Sequence, residues 1–290
     1  TGGQFIVTSG ASETSSSGQL KLQTGKDSIQ SGSINIQSGN ANGGQSGAML
    51  LASGASTAGS SGSIHVGTGV SSQGTQGSIL VSVGTSDSLL GGSVVVQSGQ
   101  GSIGGDVSVG TSNAALPTQN SGSIELTTGH AENGNSGDVR VSTGNSKMSS
   151  GSIIGRAGSS SEGGGGNVML TAGDSVSSTG GSIQLHGGIS NLGSSGRIDI
   201  LTPNSESTTS SGTITVTTGR SSAGSSGDIQ VATGSSQESA GSIVLETGDS
   251  ANTQTSMSKP VISIKAGDSS TASGGNVNVM AGNSIGAGPS

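Results

Sequence analysis

The sequence predicts an all-β chain folded as a parallel β-solenoid (β-helix), and three observations carry that expectation. A short motif, Gly-x-Φ-x-Φ-x-(Thr/Ser)-Gly with Φ apolar, recurs nineteen times in 290 residues. Inside each copy apolar and polar residues alternate with period two, which is the pattern of a half-covered strand and not of a helix. The copies open at Gly3, Gly18, Gly32 and onward to Gly275, at a nearly constant step. Self-similarity at a short fixed period marks stacked repeats.

The strand element comes first. Gly32–Gly39 (GSINIQSG), Gly122–Gly129 (GSIELTTG) and Gly212–Gly219 (GTITVTTG) show it in its plainest form. The first Φ is apolar in all nineteen copies, from Phe5 through Ile34, Ile124 and Ile214 to Val277, and the second in all but one, where Gly155 stands. Gly at either end marks where the backbone turns out of the sheet. Pro203 replaces a closing Gly and Pro260 an opening one. Both fall at strand ends, where a missing N–H is tolerated.

The linkers come next, and they alternate in character. After many odd-numbered copies they carry a mid-loop Gly (Gly43, Gly44, Gly74, Gly134, Gly163, Gly193, Gly224). After many even-numbered ones they carry an apolar residue instead (Ile29, Leu89, Leu116, Met148, Val176). Unequal steps also compensate, since Gly92 to Gly122, interrupted unevenly at Gly105, still spans two ordinary steps. The spacing therefore predicts two strands per coil and about 30 residues per coil, with about 15 per coil as the alternative. Coils would stack about 4.8 Å apart and bury Ile, Val and Leu between two sheets about 10 Å apart. A longer loop intrudes near Lys259.

Corners complete the coil. The third inward residue is usually Thr or Ser, as at Thr24, Thr68, Thr128, Thr143, Thr218 and Thr233. Two residues past the closing Gly stands a small residue: Ser12, Ala41, Ser56, Ser71, Ala131, Ser146, Ser175, Ser190, Ser221 or Ser250. Hydroxyls at a corner are expected to satisfy nearby backbone groups. Residues 1–290 thus read as one continuous solenoid. Thr1 lies inside a repeat, Ser290 follows the start of a further corner, and neither end has a capping element. Those features read as a segment of a longer repeat protein, or as rods that stack end to end.

Composition narrows the chemistry. The chain has 57 Gly, no Cys, Trp or Tyr, one Phe, 9% charged residues and a formal net charge of −7. Such Gly content with few large apolar groups would ordinarily argue for disorder, but the apolar residues here are ordered in register. A nucleic-acid partner is not expected, because neither a basic stripe nor stacking aromatics are present. No apolar run is long enough for a membrane-spanning helix.

No catalytic, cofactor or metal residue is assigned, and the chain is read as a non-enzyme without cofactors. His65, His130 and His186 fall at three different places in the motif and do not converge. Without a base beside a nucleophile, the many Ser remain ordinary hydroxyls. Asp106 and Asp138 occupy equivalent positions in successive coils, as do Arg197 and Asp228, which the coil would bring together as a surface pair of small energetic value. No Walker-type Lys-Ser/Thr follows the Gly runs, Gly163–Gly166 opens no calcium-roll register, and no Asn-x-Ser/Thr triplet occurs. O-linked glycans on the Ser-rich loops are a candidate modification.

The remaining outward positions point to assembly. One of them is apolar at Ile6, Leu50, Leu80, Val95, Ile154, Met169 and Val244, which suggests lateral packing of rods. The other reads Thr8, Gln23, Gln37, Ala52, Gly67, Ser82, Gln97, too mixed for an ice-matching Thr ladder. A carbohydrate platform would want Trp or Tyr.

Ser211–Gly219 (SGTITVTTG), Ser226–Gly234 (SGDIQVATG) and Gly274–Gly282 (GGNVNVMAG) resemble the Gly/Ser-rich repeat proteins of diatoms, oomycetes and related stramenopiles. That resemblance covers the whole chain. It implies a secreted or cell-surface structural protein, with flagellar-hair (mastigoneme) shafts as one setting. The expected function is a structural segment of an extracellular filament, sheath or matrix fibre that self-associates end to end or side by side. An adhesin stalk, or an ice- or carbohydrate-binding solenoid, is the alternative.

Overall fold

Each of the nineteen motif segments runs without bend or turn, and nearly all described linkers bend once. The computed structural model describes residues 3–27, 29–87, 90–115, 119–205, 210–249 and 260–282. The positions singled out at Leu89, Leu116, Ser250, Lys259 and Ser290 lie outside the described residues.

Within a segment, side chains two apart lie on one side. Arg140 Nη2 reaches Asp138 Oδ2 at 2.6 Å, Arg197 Nη2 reaches Asp199 Oδ2 at 2.9 Å, and His186 Nε2 lies 3.4 Å from Gln184 Oε1. This is the period of an extended backbone. Local conformation therefore follows the sequence pattern.

The β-solenoid does not form. Among the described residues there is neither helix nor β-strand, which overturns the parallel coil of two strands per turn and equally the one-strand alternative. The irregular backbone–backbone hydrogen bonds join the two ends of a single linker instead of neighbouring segments: Gly18 N–H donates to the Gly10 carbonyl at 3.0 Å, and Gly181 N–H to the Gly173 carbonyl at 2.9 Å. The thin dry core is absent too, because no described residue is buried. The chain exposes 29659 Å². A compact monomer of 27.3 kDa would expose roughly 11,000 Å², and its fully unfolded chain roughly 40,000 Å². The area lies closer to the second figure.

The physical reason lies in the balance of ordering and burial. Fixing a residue's backbone costs about 1–2 kcal/mol, and Gly costs most. Against 57 Gly, only 27% of residues are hydrophobic. Each segment offers two or three apolar side chains to offset the ordering of a whole repeat. Period two makes a segment able to pair, but pairing also needs a distant partner.

What the chain does organise is the linker. Its length selects the turn. Where successive copies open at the common step, as from Gly62 to Gly77, the corner Ser hydroxyl accepts from the backbone N–H three residues on. This occurs at Ser12, Ser56, Ser71, Ser160, Ser175, Ser190, Ser221 and Ser269, with distances of 2.9–3.0 Å. Where the step is one residue shorter, as from Gly18 to Gly32, the acceptor serves the N–H two residues on. The pairs are Asp27 with Ile29, Ser146 with Met148 and Ser236 with Glu238. These are the side-chain mimics of a backbone turn. The expected alternation by odd and even copies is replaced by this length rule. Gly59, after an even-numbered copy, is held as Gly74 and Gly193 are, after odd ones. Removing one hydroxyl, as in Ser71→Ala, is expected to speed exchange of the Gly74 amide about fivefold, the loss of one hydrogen bond of about 1 kcal/mol. NMR amide exchange would read it, with Gly59 and Gly193 unchanged.

Among the described residues the two ends of a loop approach each other at a neck. The residue before the closing Gly packs against the next opening Gly. A Cβ at Gly212 would stand 3.1 Å from Thr202 Cγ2, and one at Gly122 would stand 3.2 Å from Thr111 Cγ2. The least exposed residues of the chain include Thr24, Ser98, Ala157, Ala172, Thr202 and Ala266, all at this position. The closing backbone bond forms at six necks, where that residue is Ser9, Ser98, Ala157, Ala172, Gly187 or Ala266. At the Thr-bearing necks among the described residues it is absent, and the Thr methyl occupies the neck instead. A β-branched side chain keeps the two glycines apart, and the necks at Ser38 and Ser53 are open as well.

The chain divides into two units, Thr1–Arg140 and Val141–Ser290. In the first, closed necks stand at Gly10–Gly18 and Gly99–Gly105; in the second, at Gly158–Gly166, Gly173–Gly181, Gly188–Gly196 and Gly267–Gly275.

Candidate functional site

The feature repeated in every copy is the pair of apolar rows, and the structure leaves both open. The first Φ is about half exposed, at 52% for Ile34, 50% for Ile64, 50% for Ile214 and 51% for Ile243. The second is more open, near 70% at Ile36, Val141, Ile200 and Val231. The outward apolar residues Leu50, Leu80, Val95, Ile154 and Met169 are more open still, at 80% or above. Ile6 and Val244, at 66% and 71%, match the second row instead, and Phe5 is the most open of the first row at 91%.

The linker apolar residues behave differently. Ile29, Met148 and Val176 are essentially fully exposed, at 94% or more.

The charged and titratable groups do not gather. His65, His130 and His186 are exposed and separate. His65 lies over Gly67, where a Cβ would meet its Nε2 at 2.9 Å. Among the described residues no group of three or more His, Asp or Glu is placed to hold a metal ion. The expected Arg197–Asp228 contact is replaced, because Arg197 pairs with Asp199 two residues along its own segment. Asp138 pairs likewise with Arg140. Both pairs are at least half exposed and serve to align neighbouring side chains. Among the described residues, no helix is long and apolar enough to cross a membrane.

The neck is the element that sequence reading missed. Its signal was present as the restriction of one position to Thr, Ser, Ala or Gly, followed at the end of the linker by another Gly. That restriction reads equally well as the taper of a sheet.

No protein-family model, curated protein or solved structure matches this chain.

Proposed function

We propose that this chain is a structural repeat segment of an extracellular filament, sheath or matrix fibre, whose apolar rows are covered by further copies of itself. The observation that carries this reading is the exposure of the first apolar residue in every copy, from half at Ile34, Ile64, Ile214 and Ile243 to 91% at Phe5. Scattered exposed apolar residues need no explanation, but a row repeated in nineteen copies offers a large area to a partner. A second copy is the occupant best matched to it. The same row recurs at every step, so two chains fit in many registers shifted by one repeat. With 9% charged residues, few charges stand in the way. The setting outside the cell follows from the resemblance to stramenopile surface proteins.

Sedimentation velocity over a concentration series tests the reading. Mass should rise with concentration, and a monomer at every concentration would overturn it. Repulsion between chains of net charge −7 opposes contact and vanishes near the isoelectric point of about 4.7. The concentration needed for assembly is therefore expected to be lowest near that pH and to rise toward neutrality. A threshold that does not move with pH would separate assembly from net charge.

A further inference from the structure

Among the linkers of the common step two depart from the corner rule, and both carry the same dipeptide. At Ala41 and Ala131 the corner residue has no hydroxyl, and these are the linkers that contain Asn42-Gly43 and Asn133-Gly134. Both dipeptides are exposed and lie in three-residue bends, 42–44 and 132–134. Elsewhere the N–H three residues past the corner is held by Ser Oγ, as at Gly74, Gly163 and Gly224. The equivalent amide after Ala131 is that of Gly134, and among the described residues no hydrogen bond engages it. The space around Gly43 and Gly134 is open, with nothing within 4 Å of an added Cβ.

We propose that Asn133-Gly134 is a site of spontaneous conversion to aspartate and isoaspartate, gated by the residue at the loop corner, and that Asn42-Gly43 is a second such site without that gate. The Gly134 backbone nitrogen attacks Cγ of Asn133 and gives up its proton. The Cγ–Nδ2 bond breaks, and ammonia leaves behind a five-membered succinimide. Water then adds to either ring carbonyl. Opening at one restores the backbone and gives aspartate; opening at the other routes the chain through Cγ and gives isoaspartate. Each conversion adds one negative charge. Gly, lacking Cβ, lets the ring close. A corner Ser would hold the attacking N–H toward its own Oγ and away from Cγ. Asn42 differs in one respect: its attacking amide lies two residues past the corner and not three. In a linker of this length the corner hydroxyl favours the amide three residues on and meets the one two residues on only at long range, as Ser269 does with Ala272 at 2.9 Å and Thr271 at 3.4 Å.

The test incubates the full chain and its Ala131→Ser variant in mildly alkaline buffer and follows each Asn by peptide mass spectrometry. In the parent chain Asn42 and Asn133 should convert faster than Asn135 and Asn145, which precede Ser. In Ala131→Ser, conversion at Asn133 should slow about fivefold, the factor of one hydrogen bond, while Asn42 keeps its rate as an internal control. Exchange of the Gly134 amide should slow by a similar factor. Unchanged conversion of Asn133 in the variant overturns the proposal, whether or not the amide becomes protected. So does conversion of Asn42 and Asn133 at the rate of the Asn-Ser pairs.

Discussion

Replacing Ile34, Ile64, Ile214 and Ile243 by Ser should raise the concentration at which the chain assembles roughly a thousandfold. Full burial of an Ile stabilises by about 1.5–3 kcal/mol. These four side chains are already half covered, at 50–52% exposure. About 1 kcal/mol each remains to be gained from a partner. Four together give about 4 kcal/mol, which is close to three decades in an association constant. Ser keeps the chain uncharged at these positions, so the change reports apolar contact and not repulsion. A matched control replaces Ile29, Met148 and Val176, which are fully exposed but lie in linkers outside the rows. That variant should assemble within about twofold of the parent. Equal effects of the two sets would mean that general hydrophobicity, not the rows, drives association.

The second large effect concerns the neck at Gly188–Gly196. A Cβ at Gly187 would meet the Gly196 carbonyl oxygen; closed necks elsewhere make room for the single Cβ of Ala157, Ala172 or Ala266, and none of them holds a β-branched residue. At Gly188, one residue later, nothing lies within 4 Å. Gly187→Thr should therefore open this loop, as the Thr-bearing necks are open, and lose the 2.8 Å bond from Gly196 N–H to the Gly188 carbonyl, while Gly188→Ala leaves it closed. Amide exchange at Gly196 is expected to quicken at least fivefold in the first variant and to be unchanged in the second. Gly166, Gly181 and Gly275, at the other closed necks of the same unit, serve as references. Equal exchange in the two variants would show that the neck does not close the loop.

These two expectations mark where the sequence could and could not be read. Corner chemistry was legible because it is local. A Ser two residues past a Gly reaches an amide two or three residues on according to the length of its own linker alone; Ser12, Ser56, Ser71, Ser175, Ser190 and Ser221 reach three. Period two was legible for the same reason, as Asp138 with Arg140 and Arg197 with Asp199 show. The solenoid was not, because alternation states only that a segment is able to pair. Whether it pairs depends on a partner many residues away and on entropy that Gly raises. The Arg197–Asp228 contact fell with it, since it needed two segments in register. The self-association of the apolar rows was read from the sequence pattern at Ile6, Leu50 and Val95, and the exposure of Ile34 and Ile64 supplies a stronger reason for it.

The central claim is that the apolar rows have no cover within one chain and are covered by other copies. Solvent accessibility of the Ile34 and Ile64 methyl groups, measured by NMR with a soluble paramagnetic agent over a concentration series, tests it most directly. The account predicts strong broadening at the lowest concentration and protection that grows as the chains assemble. Protection at every concentration would reveal a core within the single chain, and broadening at every concentration would show that no copy covers the rows; either result contradicts the account.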